Sequence, residues 1–239
     1  MSSKLIFLLL AGLLLVQCSV GKPMPDADSA AEVSKEVEIK KECEDDDFSD
    51  PTSEENSEET VLLSFLLGEI TEITDLILNS GKKVMEDVVA DVNAMEEKSE
   101  ALKIKTDKLA EIVSKLDKID LKNKKKMGCK LALLDEMDAL LDTFNTTETE
   151  KPDPENLIIE ASLKKHGIEK IVEDVKLKFL EFTERFYVAA DKYWDSLSPE
   201  EQTEHKKFAE WLKLFKEETN LEKKITLFQE IFELNEKSE

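Results

Sequence analysis

The chain has 239 residues, with 55 Asp and Glu against 33 Lys and Arg, for a formal charge of −22 at neutral pH. That charge excludes nucleic acid and anionic membrane surfaces as main partners, since both would be repelled before a local patch could act. With six Gly and six Pro in the whole chain, turn chemistry is too sparse and β-branched alternation too weak for a sheet domain, so the fold class is all-α.

Residues 1–21 read as a signal peptide. Lys4 supplies the positive start, Leu5 to Val16 is an apolar run of 12 residues, and Ser19-Val20-Gly21 offers the small residues a signal peptidase reads. A membrane span needs roughly 20 apolar residues, so secretion and an extracellular location are expected, with the mature chain starting near Lys22. Cys18 leaves with the leader. Cys43 and Cys129 then remain as an even pair in an oxidising compartment, and a disulfide between them is the expected state, with separate thiols or an intermolecular bridge as the alternative.

Residues 22–56 form an acidic arm. From Lys22 to Thr60 there are 15 acidic residues and 4 lysines, with Val33, Val37, Ile39 and Phe48 scattered among them. Too little apolar surface is present to offset the ordering entropy, so the arm is expected to be disordered. Its run Glu42-Cys43-Glu44-Asp45-Asp46-Asp47 lacks the glycine and the distal glutamate of a calcium loop, and ordinary solvation explains it.

Residues 57–144 read as a long-helix lobe. Ser57 with Glu58 and Glu59 opens a first helix whose apolar residues run from Val61 to Ile77, and Gly81 is its expected end. A second helix is expected over Met85, Val88, Val92, Met95, Ser99, Leu102, Thr106, Leu109, Val113 and Leu116, a heptad seam fit for an antiparallel hairpin or, alternatively, an intermolecular coiled coil. Lys122, Lys124, Lys125, Lys126 and Lys130 place five cations within nine residues and form a candidate glycosaminoglycan-binding cluster. A short helix follows to Phe144.

The linker 145–153 carries the sequon Asn145-Thr146-Thr147, a glycosylation acceptor in a secreted chain. Residues 154–239 read as an aromatic-rich helical lobe. Asp153 with Pro154 starts a helix, Gly167 kinks or splits it, Ser198-Pro199-Glu200-Glu201 is a capping box, and a last helix opens after Asn220. The whole is a bundle of about six amphipathic helices, two of them long.

Chemistry-bearing motifs are missing. Neither His166 nor His205 sits in a catalytic or metal-ligand pattern, so both read as solvated surface residues. No nucleophile elbow, phosphate loop or dinucleotide fingerprint is present, which points to a non-enzymatic protein with no cofactor and no metal. Two functions remain. One is a module that binds an extracellular or host protein or a cell-surface receptor through helical faces. The other is a carrier of fatty acids or another apolar ligand, with Phe179, Phe182, Phe186, Trp194, Phe208, Trp211, Phe215 and Phe228 as the candidate pocket and Leu63, Leu67 and Val84 as a second lining.

A signal peptide ending before Lys22-Pro23-Met24-Pro25-Asp26, then an acidic arm, then a charged helical domain resembles the acidic salivary antigens of mosquitoes. That resemblance implies a salivary protein of a blood-feeding insect that acts on host haemostasis or immune cells.

Overall fold

The computed structural model describes residues 57–121, 123, 126–146 and 151–236. The leader, the arm and Cys43 lie outside these residues, as do Lys122, Lys124, Lys125 and Thr147. Eight helices and no strand are present among the described residues.

Helix α1 (Glu58–Ala94) opens where the Ser57 hydroxyl accepts the Thr60 amide at 3.2 Å, with Glu58 and Glu59 at the positive end of the helix dipole. Contrary to expectation it runs straight through Gly81. A Cβ there would stand 2.8 Å from Met137 Sδ, so the glycine serves a close helix crossing and not a terminus. The chain turns instead at 95–99, where Met95 and Ser99 are extended. Glu96, Glu97, Lys98 and Ser99 offer no apolar side chain to bury, and Ser99 then caps α2 (Glu100–Asp117) by accepting the Leu102 amide.

The heptad seam is therefore shared between two helices. Met85, Val88 and Val92 are buried on α1, and Leu102, Thr106, Leu109 and Leu116 on α2, while Met95 is exposed in the turn. Lys82 meets Asp117 at 2.5 Å, which fixes the pair as an antiparallel hairpin. The seam is consumed within the chain. Helix α3 (Met127–Asp142) runs parallel to α1, with Met127 at Thr71, Lys130 at Asp75 and Met137 at Gly81.

Helix α4 (Pro154–Lys165) starts at Asp153, whose carboxylate accepts the Glu155 amide, with proline at N1. It crosses the hairpin, and Lys105 reaches both Asp153 and Asn156 at 2.6 Å. Gly167 then adopts φ 93°, a left-handed conformation that glycine takes without a Cβ penalty, and splits α4 from α5 (Ile168–Ser196). Helix α5 returns antiparallel along α1, with Lys178 on Glu72, Arg185 on Glu69 and Lys192 on Glu58 marking the register. The capping box forms as expected and begins α6 (Pro199–Glu204), which breaks at His205 before α7 (Lys206–Glu217). Asn220 accepts the Lys223 amide at the start of α8 (Leu221–Glu236). The extra splits at Gly167 and His205 raise the helix number from about six to eight.

Segments 57–144 and 154–239 share their longest interface along α1 and α5. Their buried apolar residues form one continuous cluster from Leu62 to Phe228.

Candidate functional site

Two of the residues considered for catalysis or ligand binding are taken up by structure. His166 is not a solvated residue: its side chain is 20% exposed, and Nε2 donates to Asp91 Oδ2 at 2.8 Å while Nδ1 stands 3.7 Å from Asp87. Ser162 Oγ and Lys165 Nζ donate to the same Asp91 oxygen at 3.1 and 2.6 Å. Serine, histidine and aspartate thus meet, but in the wrong order for nucleophilic catalysis. A triad needs the imidazole between the hydroxyl and the carboxylate, whereas here hydroxyl and imidazole both end on the carboxylate. The hydrogen bonds of Lys165 and then His166 hold the Asp91 carboxyl down at about 2, against desolvation. The cluster clasps the α4–α5 turn to α1. His205 lies at the α6–α7 break with its ring on Tyr193, at 6.2 Å between centroids.

The basic cluster also loses a member. Lys130 is 0% exposed, and its ammonium donates to Asp75 Oδ1 at 2.7 Å. It occupies the first position of the inward stripe Lys130, Leu133, Leu134, Met137 and Asp138, whose spacing of three and four is what buries it. Lys126 is half-buried, and Lys122, Lys124 and Lys125 lie outside the described residues. Asp138, which composition alone hides among many acids, is 4% exposed. Burial pushes its carboxyl up to about 7, with Asp142 and Asp135 adding to the rise. Its position four residues after Leu134 was the signal that it faces inward.

Cys129 is buried in the first turn of α3. Asn145 is half-buried just beyond α3, and the Thr146 hydroxyl donates to Glu160. Asn156 donates to the Thr143 carbonyl, so the end of α3 is tied to α4.

The rings offered as an apolar pocket are packed on one another. Phe182 contacts Phe65, Phe179, Phe186 and Phe228, the last at 4.9 Å between centroids. Trp211 stacks on Phe215 at 5.1 Å and donates its indole N–H to the Leu227 carbonyl. Phe208 stacks on Trp211 and meets Tyr193 edge-on. These contacts make a core rather than a lining. Trp194 stands apart, half-exposed in an open groove of about 510 Å3 with Pro199, Gln202, Thr203, Lys206 and Lys213 among its walls. Of the second lining, Val84 is buried in the core, Leu67 is partly buried and Leu63 is 41% exposed.

What faces solvent is a stripe on α5. Leu177, Leu180 and Val188 are 60%, 45% and 71% exposed, and spacings of three and eight put them on one side of the helix. Glu181 and Glu184, both exposed, share that side. Sequence reasoning assigned α5 an inward stripe and passed over this outer one, because three apolar residues among many charges leave a weak periodic signal.

Among the described residues, no group of three or more His, Cys, Asp or Glu is placed to hold a metal, and no helix is long and apolar enough to cross a membrane. No protein-family model matches the chain, and neither a curated protein nor a solved structure matches it.

Proposed function

We propose that this is a secreted, non-enzymatic binding protein that engages a cationic extracellular protein through the outer face of α5. The observation that carries the reading is the stripe of Leu177, Leu180 and Val188 beside Glu181 and Glu184. Apolar side chains this exposed on one helix face are what a partner helix or basic protein surface covers, and the flanking carboxylates favour cationic partners. A chain of charge −22 adds long-range attraction in the same sense.

The resemblance to mosquito salivary antigens supports a host-directed version, in which the partner is a host protein or cell-surface receptor in haemostasis or immunity. Within this reading Cys43 pairs with Cys129, and Asn145 carries a glycan. Purified secreted protein should bind host plasma proteins or leukocytes saturably. The triple substitution L177S/L180S/V188S should reduce that binding at least tenfold while leaving the melting temperature unchanged, about what loss of a small hot-spot cluster produces. Retention of full binding by the folded variant would overturn the assignment of this face. The carrier reading retains the open groove at Trp194, and lipid co-purifying in native mass spectrometry would favour it.

A further inference from the structure

Beside the ring stack, a groove runs along the seam between α5 and α7. Tyr187, Asp191 and Trp194 follow one another at spacings of four and three on one flank of α5. Lys206, Ala209, Lys213 and Lys216 do the same at three, four and three on α7. The open groove of about 510 Å3 at Trp194 and Lys206 continues into a second of about 310 Å3 at Leu212 and Lys216, because Trp194, Ala209 and Lys213 line both. Between the lysines, the indole of Trp194, Pro199, Ala209 and Leu212 give it an apolar lining.

The cations along this groove are unevenly neutralised. Lys206 pairs with Glu210 at 3.3 Å and Lys213 with Glu217 at 4.0 Å, both in exposed pairs one helical turn apart. The far end differs. Lys216 meets Asp191 at 2.5 Å, and its ammonium stands 5.8 Å from the centre of the Tyr187 ring. Lys224 of α8 stands 5.4 Å from the same ring centre and 5.5 Å from that of Phe215, and donates to the Tyr187 hydroxyl at 2.7 Å. Among the described residues Lys224 forms no ion pair. Two ammonium groups thus converge on one phenol against a single carboxylate, and the phenol still has its own proton to donate.

We propose that this groove binds a long-chain carboxylate, its head held by Lys216, Lys224 and Tyr187 and its alkyl chain laid along Trp194 toward Pro199. A monoanion matches the one positive charge that Asp191 leaves uncompensated, whereas a phosphate dianion exceeds it. Ammonium and phenol donors give such a head charge-assisted hydrogen bonds. The chain is as necessary as the head. A protein of charge −22 repels anions at long range, so contact between methylenes and the apolar lining must add to the local attraction. The length fits as well. From Lys216 to Lys206 the helix rises about 15 Å at 1.5 Å per residue, and one lipid chain spans half of a bilayer core of about 30 Å. The proposal deepens the carrier reading of the groove and is independent of partner binding on the outer face of α5.

Tryptophan emission offers a direct test, because Trp211 is 4% exposed and hydrogen-bonded in the ring stack while Trp194, the other of the two tryptophans, lines the groove. Sodium decanoate, titrated below its micelle concentration into the full secreted protein, should shift the emission to the blue with saturation. W194A should abolish the shift and weaken calorimetric binding at least fivefold. K224M, which keeps the stem, should also weaken binding at least fivefold with an unchanged melting temperature, K224R should restore it, and 1-decanol should bind at least tenfold more weakly than decanoate. Equal affinity for decanol and decanoate, or for K224M and the parent, would overturn the head site. Binding undiminished in both W194A and K224M would overturn the groove as the site while leaving a carrier of another site. No binding by the parent would overturn the proposal, and native mass spectrometry of the same sample separates the two failures: co-purified lipid leaves the carrier reading standing, and its absence removes that reading too.

Discussion

The two halves of the bundle are stabilised by different chemistry. Around α5, α7 and α8 the interior is a stack of rings in which Phe179, Phe182, Phe186, Trp211, Phe215 and Phe228 touch one another, and the polar tips of Trp211 and Tyr187 find partners at Leu227 and Lys224. Around α2, α3, α4 and the C-terminal part of α1 the interior is aliphatic and admits Thr106, Lys130, Asp138 and Ser162 among its leucines and valines. Rings bury large area and pack against one another in stacked or edge-to-face pairs, whereas a buried ammonium or carboxyl is tolerated only with a partner or a changed protonation state. The aromatic half should therefore respond to volume and the aliphatic half to charge.

The largest effects test that contrast directly. Phe182→Ala should lose about 3–5 kcal/mol in urea denaturation, as removal of a fully enclosed ring does. Asp75→Ala should lose a similar amount, about 3–5 kcal/mol, because it leaves the Lys130 ammonium buried without its carboxylate. The decisive comparison is Lys130→Met, which keeps the stem, removes the buried charge and leaves behind a carboxylate, Asp75, that is 29% exposed and so reaches water; it should stay within about 1 kcal/mol of the parent. A loss as large as that of Asp75→Ala would show that the pair itself, and not the unpaired charge, dominates.

An intermediate effect is expected from pH. The folded-state pKa of Asp138, about 7, lies above its ordinary value, so the folded protein holds the proton more tightly and its stability falls as pH rises from about 4 to about 7. Asp91 is shifted the other way. Its contribution is present above the ordinary aspartate range and is lost only as pH falls toward about 2. Between about pH 4 and 7 the melting temperature should therefore decline, and Asp138→Asn should flatten that decline while leaving the acid limb in place. An unchanged slope in the variant would remove Asp138 from the account.

The smallest effects lie at the caps. Ser99→Ala and Ser198→Ala each remove a hydroxyl that accepts a first-turn amide and should each cost about 1 kcal/mol by denaturation. Ser99 also donates to Glu155 at 2.7 Å, linking the hairpin turn to α4, so the larger of the two losses is expected there.

Much of this architecture was legible as local chemistry. Ser57, Asp153, Ser198 and Asn220 mark helix starts because short polar side chains satisfy free amides wherever they stand, and Gly167 marks a split because its backbone conformation excludes other residues. The all-α class followed from composition for the same reason. Three other features needed the packed chain. Gly81 carries the same local signal as a helix end, and only Met137, 56 residues further on, makes it a crossing point. Lys130 belongs to a basic run in sequence and to the core in space, because Asp75 stands within reach on a neighbouring helix. His166 gains its role from Asp87 and Asp91 on α1, which no short-range pattern connects to it. Backbone hydrogen-bond requirements are satisfied within a few residues and so can be read from the chain itself, whereas the burial and partnering of a side chain depend on residues that only the fold brings near.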